Sequence, residues 1–233
     1  MNRRSILKNA LLAGAGLMTV SALKGNAGIN TARENNAVPG REELQTGSFT
    51  DLFKPIEPKD IPESAFTLVG QDYAILTAGN PAHYNSMVTS WGGWGILFNH
   101  PAAFSMLRSS RYTLELMRKE KSYTITFFDN QFKNDILLFG ASSGRDSDAK
   151  MKNTKLTAVQ TPAGRMVFKE AKLIVECKLI QVTTVSPDDF LLEENRQFVV
   201  SANPDAVPND YHKIVFGEIT NVWDRKIIIM EQK

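Results

Sequence analysis

An antiparallel β-barrel with helical insertions, a mainly β fold, is the class this sequence predicts, and three observations predict it. About nine short segments rich in β-branched and aromatic residues follow one another from Phe66 onward. Only two or three stretches carry a helical pattern. There is no internal repeat and no strand–helix–strand alternation, which argues against a parallel, doubly wound sheet.

The elements can be taken in chain order. Residues 28–60 read as a flexible arm: "GINTARENNAVPGREELQTGSFT" is polar, and "KPIEPKDIPESAF" has three prolines and reads as an extended lead-in. The folded domain is expected over 61–233. Its strands are "FTLVG", "YAILTAG", "SMVTSWGGWGILF", "AAFSMLR", "SYTITFF", "RMVFKE", "KLIVECKLIQVTTV", "RQFVVSA" and "KIVFGEITNVW". In the seventh, Leu173, Val175, Cys177 and Leu179 share a face, but the alternation is imperfect; length and β-branching still favour a strand. One helix is expected over "TLELMRKEK", with Thr113 as N-cap, Glu115 in the first turn and Arg118, Lys119 and Lys121 near the end. "NDILLFGAS" reads as a second helix capped by Asn134, and residues 147–154 as a short third.

The first 27 residues belong to a different argument. Arg3 and Arg4, followed by Ser5, Ile6, Leu7 and Lys8, resemble a twin-arginine export signal. The apolar segment Asn9 to Leu23 holds 15 residues, short of the roughly 20 a spanning helix needs. "GNA" at 25–27 supplies small residues for cleavage. The expectation is a periplasmic or otherwise exported protein with no stable membrane insertion after cleavage; the alternative is tethering by an uncleaved leader. The twin-arginine route carries folded proteins, often with a cofactor already bound.

The leader has four basic and no acidic residues, so the remainder holds 23 Lys and Arg against 25 Asp and Glu, and +2 becomes −2. A slightly acidic chain has no general electrostatic drive toward nucleic acid. Cys177 is the single cysteine, so no intramolecular disulfide can form and the core must hold the fold together. It falls mid-strand on an apolar face, where a thiol is inert. Phosphate-binding P-loop, HExxH, paired CxxC and GxSxG motifs are all missing. One cysteine and the scattered His83, His100 and His212 leave no metal site to expect.

Four constellations carry chemistry. In "LRSSRYT" a strand ends, two guanidiniums and several hydroxyls follow, and a helix begins, a combination suited to an anion. The same residues equally describe a solvated turn paired with surface carboxylates. "YNSMVTSWGGWG" sets Gly92 and Gly93 between Trp91 and Trp94, and a flat ligand or another backbone could approach there; a glycine-kinked barrel strand with core tryptophans fits too. "GASSGRDSDAK" reads as an anion nest or a polar loop after a helix. "DYHKIVFGEI" places His212 at a strand start, as a proton carrier or as a structural histidine.

In this order, "ILTAG", "N-x-M-x-T-S-WGG-x-G", "R-x-x-RYT", "SGRD-x-D", "EA-L-x-x-EC-L" and "YH-x-x-x-x-GEI" resemble the flavin reductase-like FMN-binding split-barrel family, in its flavoredoxin-like branch, over about Phe66 to Trp223. The resemblance implies a Greek-key antiparallel split barrel, a homodimer, and FMN near the dimer interface. By position, Asn85, Met87, Thr89, Ser90 and Trp91 would line the flavin strand. Arg108, Ser110, Arg111 and Thr113 would hold the phosphate end. Ser143, Gly144, Arg145 and Asp146 would close the site, and His212 would sit near the ring or the reductant as the candidate catalytic residue. The family usually has a lysine directly after the second aspartate of "SGRD-x-D"; here Ala149 intervenes before Lys150. The implied activity is an FMN-dependent oxidoreductase with NAD(P)H or a redox protein as donor. The alternatives are a non-catalytic flavin or electron carrier, and a cofactor-free interaction module.

Overall fold

The computed structural model describes residues 47–141, 144–145, 150, 154–202 and 210–226. All of them lie in the unit that spans residues 42–233. The leader, most of the arm and most of the third helix expected at 147–154 lie outside them.

The fold starts earlier than the sequence suggests. Helix α1 (Gly47–Leu52) leads into β1 (Phe53–Ile56), which pairs antiparallel with the end of β10 (His212–Arg225). Phe49 and Phe53 are both 1% exposed, their rings stack at 4.8 Å, and Phe49 meets Trp223 edge-on at 5.1 Å. Within the stretch read as an arm to residue 60, Gly47–Ile56 is therefore regular structure, and its Phe49 and Phe53 are in the core. Pro55 is tolerated because β1 is short and marginal to the sheet.

"FTLVG", expected as a strand, is a helical turn, α2 (Ala65–Leu68). The Ser64 side chain accepts a hydrogen bond from Phe66 N, and this cap overrides the β-branched composition. Strands β2 (Ala74–Asn80) and β3 (His83–Thr89) form a hairpin whose two-residue turn is tied by Asn80 Oδ1, which accepts from the Ala82 and His83 amides. The long strand expected over "SMVTSWGGWGILF" is interrupted at Ser90–Trp91, so that β4 (Gly92–Leu97) is a separate strand on β5 (His100–Arg108). Phe98 and Asn99 both take positive φ, 50° and 64°, as the tight hairpin turn requires.

Helix α3 (Tyr112–Glu120) begins one residue earlier than expected, and Thr113 is not its N-cap. Its hydroxyl is buried and accepts a 2.7 Å hydrogen bond from Asn85 Nδ2 instead. After β6 (Ser122–Phe127), α4 (Lys133–Ala141) starts before Asn134, which lies inside it rather than capping it. β7 (Ala158–Gln160) and β8 (Met166–Phe168) form a separate hairpin, and β7 is a strand the sequence reading did not include.

"RQFVVSA" is also corrected, from strand to helix α5 (Glu193–Ser201). Glu193 and Glu194 sit in its first turn, where they complement the dipole, and Gln197 donates to Glu193 one turn away. These local gains outweigh the β-branching of Val199 and Val200.

The main sheet runs β3-β2-β6-β9-β10-β5-β4, antiparallel in every ladder, with β9 at Leu173–Thr184. The terminal strands β3 and β4 do not form a ladder with each other. Ser90–Trp91 joins them across β5, where Trp91 O accepts from Met106 N at 3.0 Å. That seam is where the barrel is split. Both faces of β2, β6 and the first half of β9 are buried. Leu76, Tyr123, Val175 and Val215 fill one core; Ile75, Phe139, Phe168 and Ile174 fill a second, which also holds Phe49. A strand buried on both faces reads as a near-continuous apolar run, which explains the imperfect alternation of "KLIVEC".

Candidate functional site at the split seam

The seam gathers three chain ends. β3 delivers Met87, Thr89 and then Ser90 and Trp91; β5 delivers Met106 and Arg108, with Arg111 just beyond; β10 starts at His212, which faces Arg108 in the ladder. Together with Val88 and Leu107 these residues line a cleft of about 170 Å³. The Trp91 and His212 rings lie 4.9 Å apart, tilted by 45°. Burial, reinforced by the Arg108 and Arg111 charges and opposed by Asp210, pushes His212 below its ordinary pKa. It is therefore a neutral imidazole at neutral pH.

The two arginines are used differently. Arg108 donates through Nη2 to Ala202 O at 2.8 Å, at the C-terminal end of α5. Arg111 also reaches the cleft, and among the described residues no carboxylate or carbonyl pairs with its guanidinium. The hydroxyls between them are engaged by Asp210, whose carboxylate accepts from Ser109 Oγ at 2.8 Å, Ser110 N at 2.8 Å and Ser110 Oγ at 2.7 Å. Burial alone would raise the Asp210 pKa, but the Ser110 and Ser109 bonds and the Arg108 charge hold it below the usual value.

Lys150 is a third cation. It is 5% exposed, and among the described residues its ammonium donates to two carbonyls, Ser86 O at 3.2 Å and Phe139 O at 3.3 Å. Burial first, and the Arg111 charge second, push its pKa down. Close by, Asn85 Oδ1 is buried with no partner. A side chain on Gly144 would come within 2.5 Å of Asn85 Nδ2, so only glycine fits over that amide.

Of the residues singled out from the sequence, Met87, Thr89, Ser90, Trp91, Arg108, Arg111 and His212 share the cleft. Ser110 is turned to Asp210, and Thr113 and Asn85 are buried against each other. Arg145 pairs with Glu115 and lies over the Tyr112 ring at 5.1 Å. Ser143 and Asp146 lie outside the described residues. Gly92 and Gly93 serve the β4–β5 contact rather than a flat ligand: a Cβ on Gly92 would be 2.5 Å from Phe104 O, and one on Gly93 3.0 Å from the Phe104 ring. Cys177 is 2% exposed, and burial pushes its thiol up to about 12. Sequence reading missed Met106, Asp210 and the burial of Lys150; only Asp210 had a visible hint, two positions before His212.

Chemically, the cleft sets two guanidiniums beside a tryptophan and a neutral histidine, with the hydroxyl-bearing Thr89 and Ser90 in the same lining. Among the described residues no cluster of His, Cys, Asp and Glu could hold a metal, and no helix is long and apolar enough to cross a membrane.

No curated protein matches this sequence. Solved structures do match in fold. An FMN-binding domain of a flavin reductase-like enzyme from Shewanella baltica superposes with a TM-score of 0.52 at 14% identity, over 74% of this chain and 76% of that one. An FMN-binding protein from Thermus thermophilus gives 0.51 at 16% identity, over 88% and 87%. The family model described as "Flavin reductase like domain" matches residues 66–228, most of the folded chain, and with its split antiparallel barrel this protein belongs to the flavin reductase-like family.

Proposed function

We propose that the cleft binds FMN and that the protein is an exported, homodimeric FMN-dependent oxidoreductase. The observation that carries the reading is Arg111, a guanidinium that no carboxylate among the described residues pairs with, set with Arg108 in a cleft that Trp91 and Met106 also line. FMN has the matching groups: a phosphate for the guanidiniums and a planar ring for the tryptophan. The donor set fits it, because arginine meets phosphate oxygens bidentately. Arg111 would take the phosphate, with Arg108 adding charge. Thr89 and Ser90 offer hydroxyls along the strand, and Trp91 shields one side from water. Neutral His212 can donate a hydrogen bond without adding a charge beside the ring. When bound, FMN supplies the hydride and electron chemistry. Ser110 and Thr113, whose hydroxyls are engaged elsewhere, take no part in this arrangement.

Export rests on Arg3 and Arg4 and the short apolar segment after them. Pairing of two copies is supported by large apolar side chains left in water: Phe66 is 87% exposed, Ile96 73% and Phe98 76%. The electron donor is NAD(P)H or, outside the cytoplasm, a redox protein.

The test is an absorbance spectrum of the purified protein with and without added FMN, beside Arg111→Ala. A shifted flavin spectrum is expected. Losing one charge-assisted hydrogen-bonding group costs about 1.5–3 kcal/mol, so FMN affinity should fall about 10- to 100-fold in the variant. A protein that leaves the FMN spectrum unchanged refutes the cofactor. Bound FMN that no donor reduces would leave a carrier rather than an enzyme.

A further inference from the structure

The cleft does not end at Trp91. Beyond the Trp91–His212 pair lies a second cavity of about 260 Å³, walled by Met106, Val185, Phe190 and Phe198 and sharing Trp91, Met106 and His212 with the first. Among the described residues no charged side chain lines it, and Asn195 and His212 are polar members of its wall. Arg108 is not in the lining; its Nη2 donates to the carbonyl of Ala202, which is. An apolar cavity of about 150 Å³ is large enough to take benzene, so this one accommodates two fused rings.

The helix over the cavity is unusually exposed. None of the residues of α5 is buried, and Phe198 is 60% exposed although its ring lies 6.4 Å from that of Trp91. An amphipathic helix gains most of its stability by burying its apolar face. Here Phe198 and Val199 of that helix border a space that the described residues do not fill.

We propose that this cavity binds an uncharged, planar apolar molecule of one or two rings, with its carbonyl or hydroxyl end turned to His212 and Asn195. As the molecule that meets the flavin, it rests on the FMN reading; as a binding site, it rests on the cavity alone. A nicotinamide dinucleotide is a poor occupant. Its pyrophosphate finds no cation in the cavity, and desolvating charge without a partner is costly.

The test uses the full chain, with FMN binding measured first from its spectrum. Calorimetric titration with 2-methyl-1,4-naphthoquinone should saturate at one site per chain. The charged 1,4-naphthoquinone-2-sulfonate should bind at least about tenfold more weakly, because its sulfonate would be stripped of water. Phe198→Arg alters an exposed residue, so the fold survives; it should weaken the uncharged quinone at least about tenfold while leaving FMN affinity within about twofold. Val199→Trp, which fills the cavity, should do the same. Protein that binds FMN but shows no saturable quinone binding overturns the proposal, as does equal affinity for the sulfonate or indifference to both variants. Protein that binds no FMN overturns the flavin reading instead, and the same titration on it still decides the cavity.

Discussion

Replacing Asp210 by alanine removes the tie between the arginine-bearing turn and the segment leading into β10. The carboxylate accepts three hydrogen bonds of 2.7–2.8 Å from Ser109 and Ser110 and is 3% exposed. Bonds to a charged group contribute about 1.5–3 kcal/mol each, but three that share one carboxylate do not add fully, and the serine hydroxyls can turn to water in the variant. The expected loss is therefore about 3 kcal/mol, or about 6–12 °C in Tm for a chain of this size. The pH dependence follows from the sign of the shift. Asp210 is held below its ordinary pKa, so its contribution is complete above the usual aspartate range and lost as pH falls through the lower, folded value. The gap between wild type and Asp210→Ala should be full at neutral pH, begin to narrow only below about pH 4, and largely close in stronger acid. Asp210→Asn keeps an acceptor for the Ser110 amide but loses the charge, and should fall between the two. Thermal melts followed by circular dichroism across this pH series measure all of it. A loss below about 0.5 kcal/mol, within the range of an ordinary surface change, would refute the reasoning. So would a gap that stays constant with pH.

Two further outcomes are expected. Cys177 should resist iodoacetamide in the native protein at pH 8 and be labelled completely in denaturant, as counted by mass spectrometry, because its thiol is buried and its pKa is pushed up to about 12; labelling of the native protein at the rate of a free thiol would show the site to be open. Phe49→Ala should cost about 3–5 kcal/mol in urea unfolding, the usual loss for a core aromatic, since Phe49 packs on both Phe53 and Trp223. A change near zero would return residues 47–56 to the arm.

What the sequence made legible was largely what burial dictates. β2, β5, β6, β9 and β10 fall where β-branched and aromatic residues cluster, because the central strands are covered on both faces. The misread segments are those where a local polar contact decided the outcome. The Ser64 cap makes "FTLVG" a helical turn, and the acidic first turn of α5 makes "RQFVVSA" a helix. Thr113 failed as a cap because its partner, Asn85, is 28 residues away in the chain. The site divides the same way. Ordered motifs pointed to Met87, Thr89, Trp91, Arg108, Arg111 and His212, and the barrel seam brings them into one cleft. Ser110 bonds instead to Asp210, a partner 100 residues on that no local pattern announces. Gly92 and Gly93 left open a flat ligand or another backbone, and the close approach they permit is that of Phe104 on the neighbouring strand.

The electrostatics of the seam point in one direction. Arg108, Arg111 and Lys150 bring three cations to a small region, and among the described residues the one buried carboxylate beside them, Asp210, is already engaged by three hydrogen bonds. The excess shows in the neighbours: beyond the effect of burial, Arg111 depresses Lys150, and Arg108 and Arg111 depress His212. Burial is the larger cause of both shifts, the arginine charges add to it, and among the described residues Asp210 is the anion that offsets them in part, at Arg108 and His212. Arg108 has a carbonyl to bond, and Lys150 has two. Carbonyls satisfy donors but cancel no charge. A bound anion at Arg111 would do both, which is the electrostatic ground of the proposal that a phosphate sits there.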